Sequence, residues 1–273
     1  KYISSNNSQD CSLYISIPFC PTRCEYCSFV SYATQNLFSL IPQYLTALVK
    51  DIDRLFHLIN EYEYKLKTIY IGGGTPTILS EEQLKVLLSA VQNGLDNAKL
   101  KDIEEFTVEA GRPDTITAEK LKILSDFNVT RISVNTQTLN DEILNHIGRK
   151  HSSDDFFKAY ELARQSSIPI INVDLIAGLP GENFESFKKS FDKIIELSPQ
   201  NITVHAFSVK KSAEIKQSCM NIFDREGSTA RNEINYSFEK MLKFGYIPYY
   251  MYRQKNTVGN LENVFFAKLR RIL

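Results

Sequence analysis

Apolar and polar positions along the chain follow two periods in turn. Short runs rich in β-branched and aromatic residues read as strands: 12–19, 67–71, 105–110, 131–136, 169–177 and 201–207. Longer stretches between them carry apolar residues at helical spacing, at 41–59, 140–147, 153–166 and 184–197. Ser80, followed by Glu81 and Glu82, caps a helix that carries Leu84, Val86, Leu87, Leu88 and Val91. Thr117 opens a short helix that ends near Phe127, and a helix from about 227 to 244 ends at Gly245, a C-terminal glycine cap. IPYYMY (247–252) reads as a last strand, and the tail after it has no clear period. Strand–helix alternation at this spacing implies βα units and a parallel sheet. About six units in one α/β domain predict a partial or full parallel βα barrel, with functional residues at the C-terminal ends of the strands.

Composition narrows the classes of function. Of 273 residues, 43% are apolar and 23% charged, ordinary for a soluble globular protein with a sizeable core. Lys plus Arg equal Asp plus Glu at 32 each, which argues against a dedicated nucleic-acid binder. No apolar run approaches membrane-spanning length, and the polar opening KYISSNNSQD carries no secretory signal. A first residue of Lys rather than Met points to a fragment. Three of the five cysteines crowd into eight residues, a spacing that suits metal ligation and a reducing cytoplasm better than a disulfide framework.

Those three, Cys20, Cys24 and Cys27, follow the first strand with C-x3-C-x2-C spacing, and Pro21 stiffens the loop. Three thiolates on one loop can grip three irons of a cubane and leave the fourth open for a ligand. A structural zinc ion completed by a distant His or Cys is the other reading of the same triad. Position favours iron–sulfur, because the loop sits at the functional end of a βα barrel and a glycine-rich loop follows the second strand. Cys11 and Cys219 read as packing thiols. Gly72-Gly73-Gly74-Thr75-Pro76-Thr77 lets backbone approach a ligand, yet lacks the Gly-Lys-Ser/Thr ending of a phosphate loop; a plain tight turn fits it equally. Glu109 and Gln137 end the third and fourth strands, Arg149 follows in Ile147-Gly148-Arg149, and Asp174 interrupts an apolar strand. Each can bind a ligand; solvated surface polarity, or for Asp174 a core ion pair, is the alternative. Tyr246, Tyr249, Tyr250 and Tyr252 read mainly as a core strand with phenol tips at its rim.

The triad, its place after the first strand and the GGGTPT loop resemble the radical-SAM superfamily. Within it, LYISIPFCPTRCEYCSF (13–29) resembles the oxygen-independent coproporphyrinogen III oxidases, also called coproporphyrinogen dehydrogenases. RISVNTQ, IGR, NVDLIAGLPGE and the Tyr-Arg-Gln-Lys-Asn stretch at 252–256 are similar to the branch named HemZ. The resemblance runs from about Leu13 to Val264 and implies a radical-SAM partial barrel at 11–252, after a tail at 1–10. It implies a 4Fe–4S cluster on Cys20, Cys24 and Cys27, and S-adenosylmethionine (SAM) as cosubstrate. Gly73, Gly74 and Thr75 match the loop that meets the SAM amino group or a second SAM. Glu109, Gln137, Arg149 and Asp174 match SAM-contacting positions, as do Tyr14, Tyr26 and Ser208. The implied enzyme is an oxidoreductase of haem biosynthesis. Fed by an electron donor, it cleaves SAM to a 5′-deoxyadenosyl radical and converts two coproporphyrinogen III propionates to vinyls, giving protoporphyrinogen IX. No catalytic residue beyond the cofactor contacts is assigned.

One position departs from the founding oxidases, which carry another Cys two residues after the third ligand. Phe29 stands there, as in the branch of haem chaperones that bind haem without decarboxylating it. Relatives continue where this chain ends, so 253–273 is expected to begin a truncated accessory region. A tRNA-modifying radical-SAM enzyme fits the neutral charge less well.

Overall fold

The computed structural model describes residues 9–27, 35–208, 227–255 and 257–268. Six strands pair in parallel and in chain order: β1 (Asp10–Ile17), β2 (Lys65–Gly73), β3 (Glu105–Glu109), β4 (Arg131–Ser133), β5 (Ile170–Ala177) and β6 (Asn201–Ala206). The described helices are α1 (Gln35–Phe38), α2 (Ile41–Glu61), α3 (Glu81–Asn97), α4 (Ala118–Asp126), α5 (Asp141–His146), α6 (Ser153–Gln165), α7 (Phe184–Leu197) and α8 (Ser228–Lys243). Two further strands, β7 (Tyr246–Tyr252) and β8 (Asn263–Lys268), run antiparallel and complete the order β1-β2-β3-β4-β5-β6-β8-β7. The sheet curls but does not close, the partial barrel expected from the βα alternation.

Helix starts sit where local chemistry puts them. Ser80 and Gln83 form a reciprocal capping box on α3, Ser152 and Asp155 another on α6, and the Thr117 hydroxyl accepts from the Lys120 amide to open α4. The amphipathic α2 buries Ile41, Leu45, Ile52, Phe56 and Ile59 against the outer face of the sheet.

Strand alternation sorts the side chains into two worlds. Ile69, Ile71, Val108, Ile132, Val173, Leu175, Ile202 and Val204 face the helices and form the core. Their alternate neighbours Tyr70, Thr107, Glu109, Ser133, Asn172, Asp174 and His205 face inward and line a cavity. The barrel interior is therefore polar and open, where a filled barrel would stack branched apolar layers.

Three features differ from the sequence expectation. The 247–252 strand is the edge of the sheet, because β8 inserts between it and β6. The β8 segment hid because it is buried on both faces: Asn263, Val264, Phe266 and Ala267 are all covered, which erases the alternation that betrays a strand. The fourth strand stops at Ser133 rather than 136; beyond it the chain turns, and Gln137 takes φ +73° while bridging Leu175. Among the described residues no helix is long and apolar enough to cross a membrane.

Candidate functional site

The cavity at the C-terminal ends of the parallel strands has a volume of about 640 Å³. It collects every site residue anticipated from the sequence: Cys20, Cys24 and Cys27, Gly73, Gly74 and Thr75, Glu109, Gln137, Arg149 and Asp174, and Tyr14, Tyr26 and Ser208. Residues spread over nearly 200 positions meet because most stand in the C-terminal half of a parallel strand or in the loop beyond it; Arg149 comes from the segment after α5. Phe29 and Cys219 lie outside the described residues.

The loop after β1 is tied down from several sides. The Cys20 Sγ lies 3.3 Å from the Thr75 hydroxyl, joining the cysteine loop to the glycine loop. The Glu25 amide donates to the Ile147 carbonyl (3.1 Å) and the Cys27 amide to the Cys24 carbonyl (3.0 Å). Gly74 is required by close approach: a Cβ there would lie 2.5 Å from the Phe19 carbonyl oxygen, and its amide donates 2.7 Å to the Ile17 carbonyl. Gly73 takes φ +103°, a backbone state closed to other residues at low cost.

Two buried guanidiniums face the cysteine loop. Arg149 donates to the Asn135 carbonyl (2.8 Å) and the Gly111 carbonyl (3.2 Å), and also meets Tyr26 and Cys24. Burial opposes its charge, but Tyr26 and Cys24 more than offset that and hold it above its ordinary value. Arg112 donates to the Cys24 Sγ at 3.5 Å and to the Thr22 hydroxyl at 2.6 Å. His151, buried beside both arginines, is pushed down to about 3, by burial first and then by the two cations. Burial raises the Tyr26 phenol well above its usual range. The cysteine rim is thus electropositive, which favours thiolates and anionic ligands.

Across the cavity the charge is negative. Glu109 accepts from the Tyr70 hydroxyl and from the Asn135 amide (3.4 Å). Burial, then the neighbouring Asp174, raises its carboxyl to about 7. Asp174 is half-buried, and His205 (3.4 Å), Asn172 (2.6 Å) and Thr203 together outweigh its desolvation and hold it below the usual range. Gln137 is 7% exposed, and its side-chain oxygen has no partner among the described residues. Arg149 Nε is likewise buried without one. Such orphaned polar atoms on a cavity wall mark places where a ligand supplies the missing bond. Tyr14, 56% exposed, stacks on Tyr70 at the mouth, and the Ser208 hydroxyl donates 3.1 Å to the Lys255 carbonyl.

Sequence reasoning passed over several residues that share this cavity. Arg112 stands before Pro113 just past the end of β3, a position as eligible as Arg149, but it belongs to no motif that singles it out. Asn135 joins Glu109 to the Asp174 backbone. Asn263 and Phe265 enter through the unforeseen β8, while Tyr249 and Tyr252, read from the sequence as a strand with phenol tips at its rim and, as the lesser reading, as a tetrapyrrole contact, do line the cavity.

Among the described residues no three His, Cys, Asp or Glu side chains are gathered to hold a single metal ion. A tetrahedral zinc ion with bonds of about 2.3 Å needs its sulfurs roughly 4 Å apart. Three thiols on one loop at the cavity wall can instead grip three irons of a multi-iron cluster.

A profile of the Radical SAM superfamily matches residues 14–194. The oxygen-independent coproporphyrinogen-III oxidase-like protein HemZ of Bacillus subtilis is 40% identical over 260 residues, covering 94% of this chain and 51% of its own length. The heme chaperone HemW of the same organism is 40% identical over 199 residues, 73% of this chain and 51% of its own. The chain spans about half the length of these curated relatives. The solved coproporphyrinogen III oxidase HemN of Escherichia coli superposes with a TM-score of 0.75 at 23% identity, over 94% of this chain and 55% of its own, and shares the fold. With a matching profile over most of the chain and this architecture, the chain belongs to the radical SAM superfamily, whose members bind a 4Fe–4S cluster and SAM.

Proposed function

We propose that this chain is the radical-SAM core of a cytoplasmic oxidoreductase that acts on a tetrapyrrole, removing CO₂ from coproporphyrinogen III propionates. The observation that carries the reading is the convergence of three cysteines, a glycine loop and the polar residues Glu109, Gln137, Arg149 and Asp174 on one cavity. The 40% identity to the HemZ protein over 94% of the chain supports the tetrapyrrole class.

The donors fit the cofactors. Cys20, Cys24 and Cys27 supply the cluster thiolates on an electropositive loop, and no fourth cysteine lines the cavity among the described residues. Gly73 and Gly74 pack the glycine loop against the β1 end at the cavity wall where the amino-acid end of SAM would sit, and Thr75 offers a hydroxyl beside them. Glu109 would accept from ribose hydroxyls, Gln137 would offer its side-chain oxygen, and Arg149 would pair with the SAM carboxylate. Asp174 and Ser208 complete the polar wall, and Tyr14 and Tyr26 border it with aromatic faces. When bound, cluster and SAM supply one-electron cleavage of the sulfonium and a radical that removes hydrogen from a substrate carbon. Each propionate would then give up one hydrogen atom to that radical, one electron to a separate acceptor, and CO₂, to become a vinyl. The electron that starts cleavage comes from a separate donor.

A second reading, haem binding without decarboxylation, is favoured by the HemW relatives and by Phe29. Anaerobic reconstitution with iron and sulfide, then incubation with SAM, dithionite and coproporphyrinogen III, separates the two. Mono- and divinyl decarboxylated products with 5′-deoxyadenosine support the oxidase. Tight haem retention with coproporphyrinogen unchanged transfers the assignment to the chaperone.

A further inference from the structure

We infer that Arg112 is a positioning residue for the cluster: it fixes the Cys24 side of the loop and favours the reduced cluster. This rests on the cluster reading above and goes beyond the three thiolates.

Arg112 is 2% exposed, among the most buried charged residues described. Its fork reaches two residues of the same loop, Cys24 Sγ at 3.5 Å and Thr22 Oγ1 at 2.6 Å. Thr22 in turn donates to the Gly148 carbonyl at 3.2 Å, in the turn that carries Arg149. One guanidinium therefore ties the cysteine loop to the end of β3 and to the segment after α5. Pro113 sets the direction of the arm: Arg112 has the extended backbone (φ −128°, ψ 106°) that a following proline imposes, and the Thr115 amide closes the next turn on the Arg112 carbonyl at 3.0 Å.

The charge has a second consequence. Its carboxylate partner, Asp114, lies 3.5 Å from Nε with a side chain 32% exposed, so water screens that pairing. The opposite end of the guanidinium faces Cys24 in a buried setting, where a cation is felt strongly. Reduction adds one negative charge to a cluster, and a fixed buried cation beside a ligand favours that state. Lysine cannot substitute fully, because a single ammonium has no fork to hold both Thr22 and Cys24.

The test is an electron-paramagnetic-resonance redox titration of the anaerobically reconstituted protein, with iron and sulfide uptake followed over time. In R112Q the equilibrium constant for cluster reduction falls about tenfold, a potential lower by about 59 mV for one electron, and cluster assembly slows several-fold. R112K keeps the equilibrium constant for cluster reduction within about threefold of the parent but assembles as slowly as R112Q. A parent-like potential and assembly rate in R112Q overturns the inference and leaves the cluster reading intact. A parent protein that takes up no iron and sulfide overturns both. If circular dichroism shows R112Q unfolded, Thr22→Val decides: slower assembly at unchanged potential supports the tether, and a parent-like rate removes it.

Discussion

At the cysteine rim, Arg112 and Arg149 lie buried as cations against Cys24 and Tyr26. On the α8 side of the sheet, Glu182 and Glu233 lie buried as acids, with Thr138, Ser186 and the Gly178 amide as partners. The rim keeps its charge because groups that carry or develop negative charge stand opposite it. The α8 side suppresses charge: burial raises Glu182 to about 7 and Glu233 to about 8. Buried ionisable groups thus serve two ends in one molecule. At the rim they present a field to ligands; behind the loop after β5 they act as neutral hydrogen-bonding groups that join elements.

Substitutions at the rim should then cost cofactor binding, and substitutions on the α8 side should cost stability alone. The largest effect is expected for Cys24→Ala, which abolishes cluster assembly; iron and sulfide analysis after reconstitution measures it, and a full iron complement would undo the ligand assignment. Gly74→Ala comes next. Its methyl meets the Phe19 and Ile17 carbonyl oxygens at 2.5 and 2.9 Å, backbone atoms that cannot step aside cheaply. A loss of about 2–3 kcal/mol in urea denaturation is expected, together with weaker SAM binding in equilibrium dialysis.

The α8 side is probed through pH. Because burial favours the protonated acids, stability is greatest below their ordinary range near 4.3 and drains as pH rises through about 7 and about 8. Glu233→Gln should flatten the upper part of that fall, on the order of 2 kcal/mol between pH 6 and 9, and leave cluster content unchanged. Thermal melts across the range test it, and an unaltered pH profile would remove Glu233 from the account. The smallest effect is expected for Tyr246→Phe. Its hydroxyl donates 2.6 Å to the Pro199 carbonyl and ties β7 to the loop before β6. Loss of about 1 kcal/mol with normal cofactor binding is expected, read by urea denaturation.

Legibility divides along the same line. Each parallel strand from β1 to β6 is followed by a helix or a loop with its own local signals: a cap at Ser80 or Thr117, a glycine turn, an alternating run. Asp174 was legible as a polar intruder in an apolar strand, and the fold explains it by period two, since Asn172, Asp174 and Ile176 all line the cavity. The strand at 247–252 was legible, but β8 and the antiparallel pairing were not. Pairing between β6, β8 and β7 is decided by contacts across the sheet, and a strand covered on both faces shows no alternation.

By itself the sequence determined the βα rhythm, the cysteine spacing and the chemistry of each strand end, because those depend on periods and residue types within a few positions. Tertiary structure alone decided that Arg112 reaches Cys24 across 88 residues, that Asp174 pairs with His205, and that Glu109 titrates high while Asp174 titrates low. Such outcomes depend on burial and on neighbours brought close by folding, and a charge separated by dozens of residues leaves no local trace of the partner it will meet.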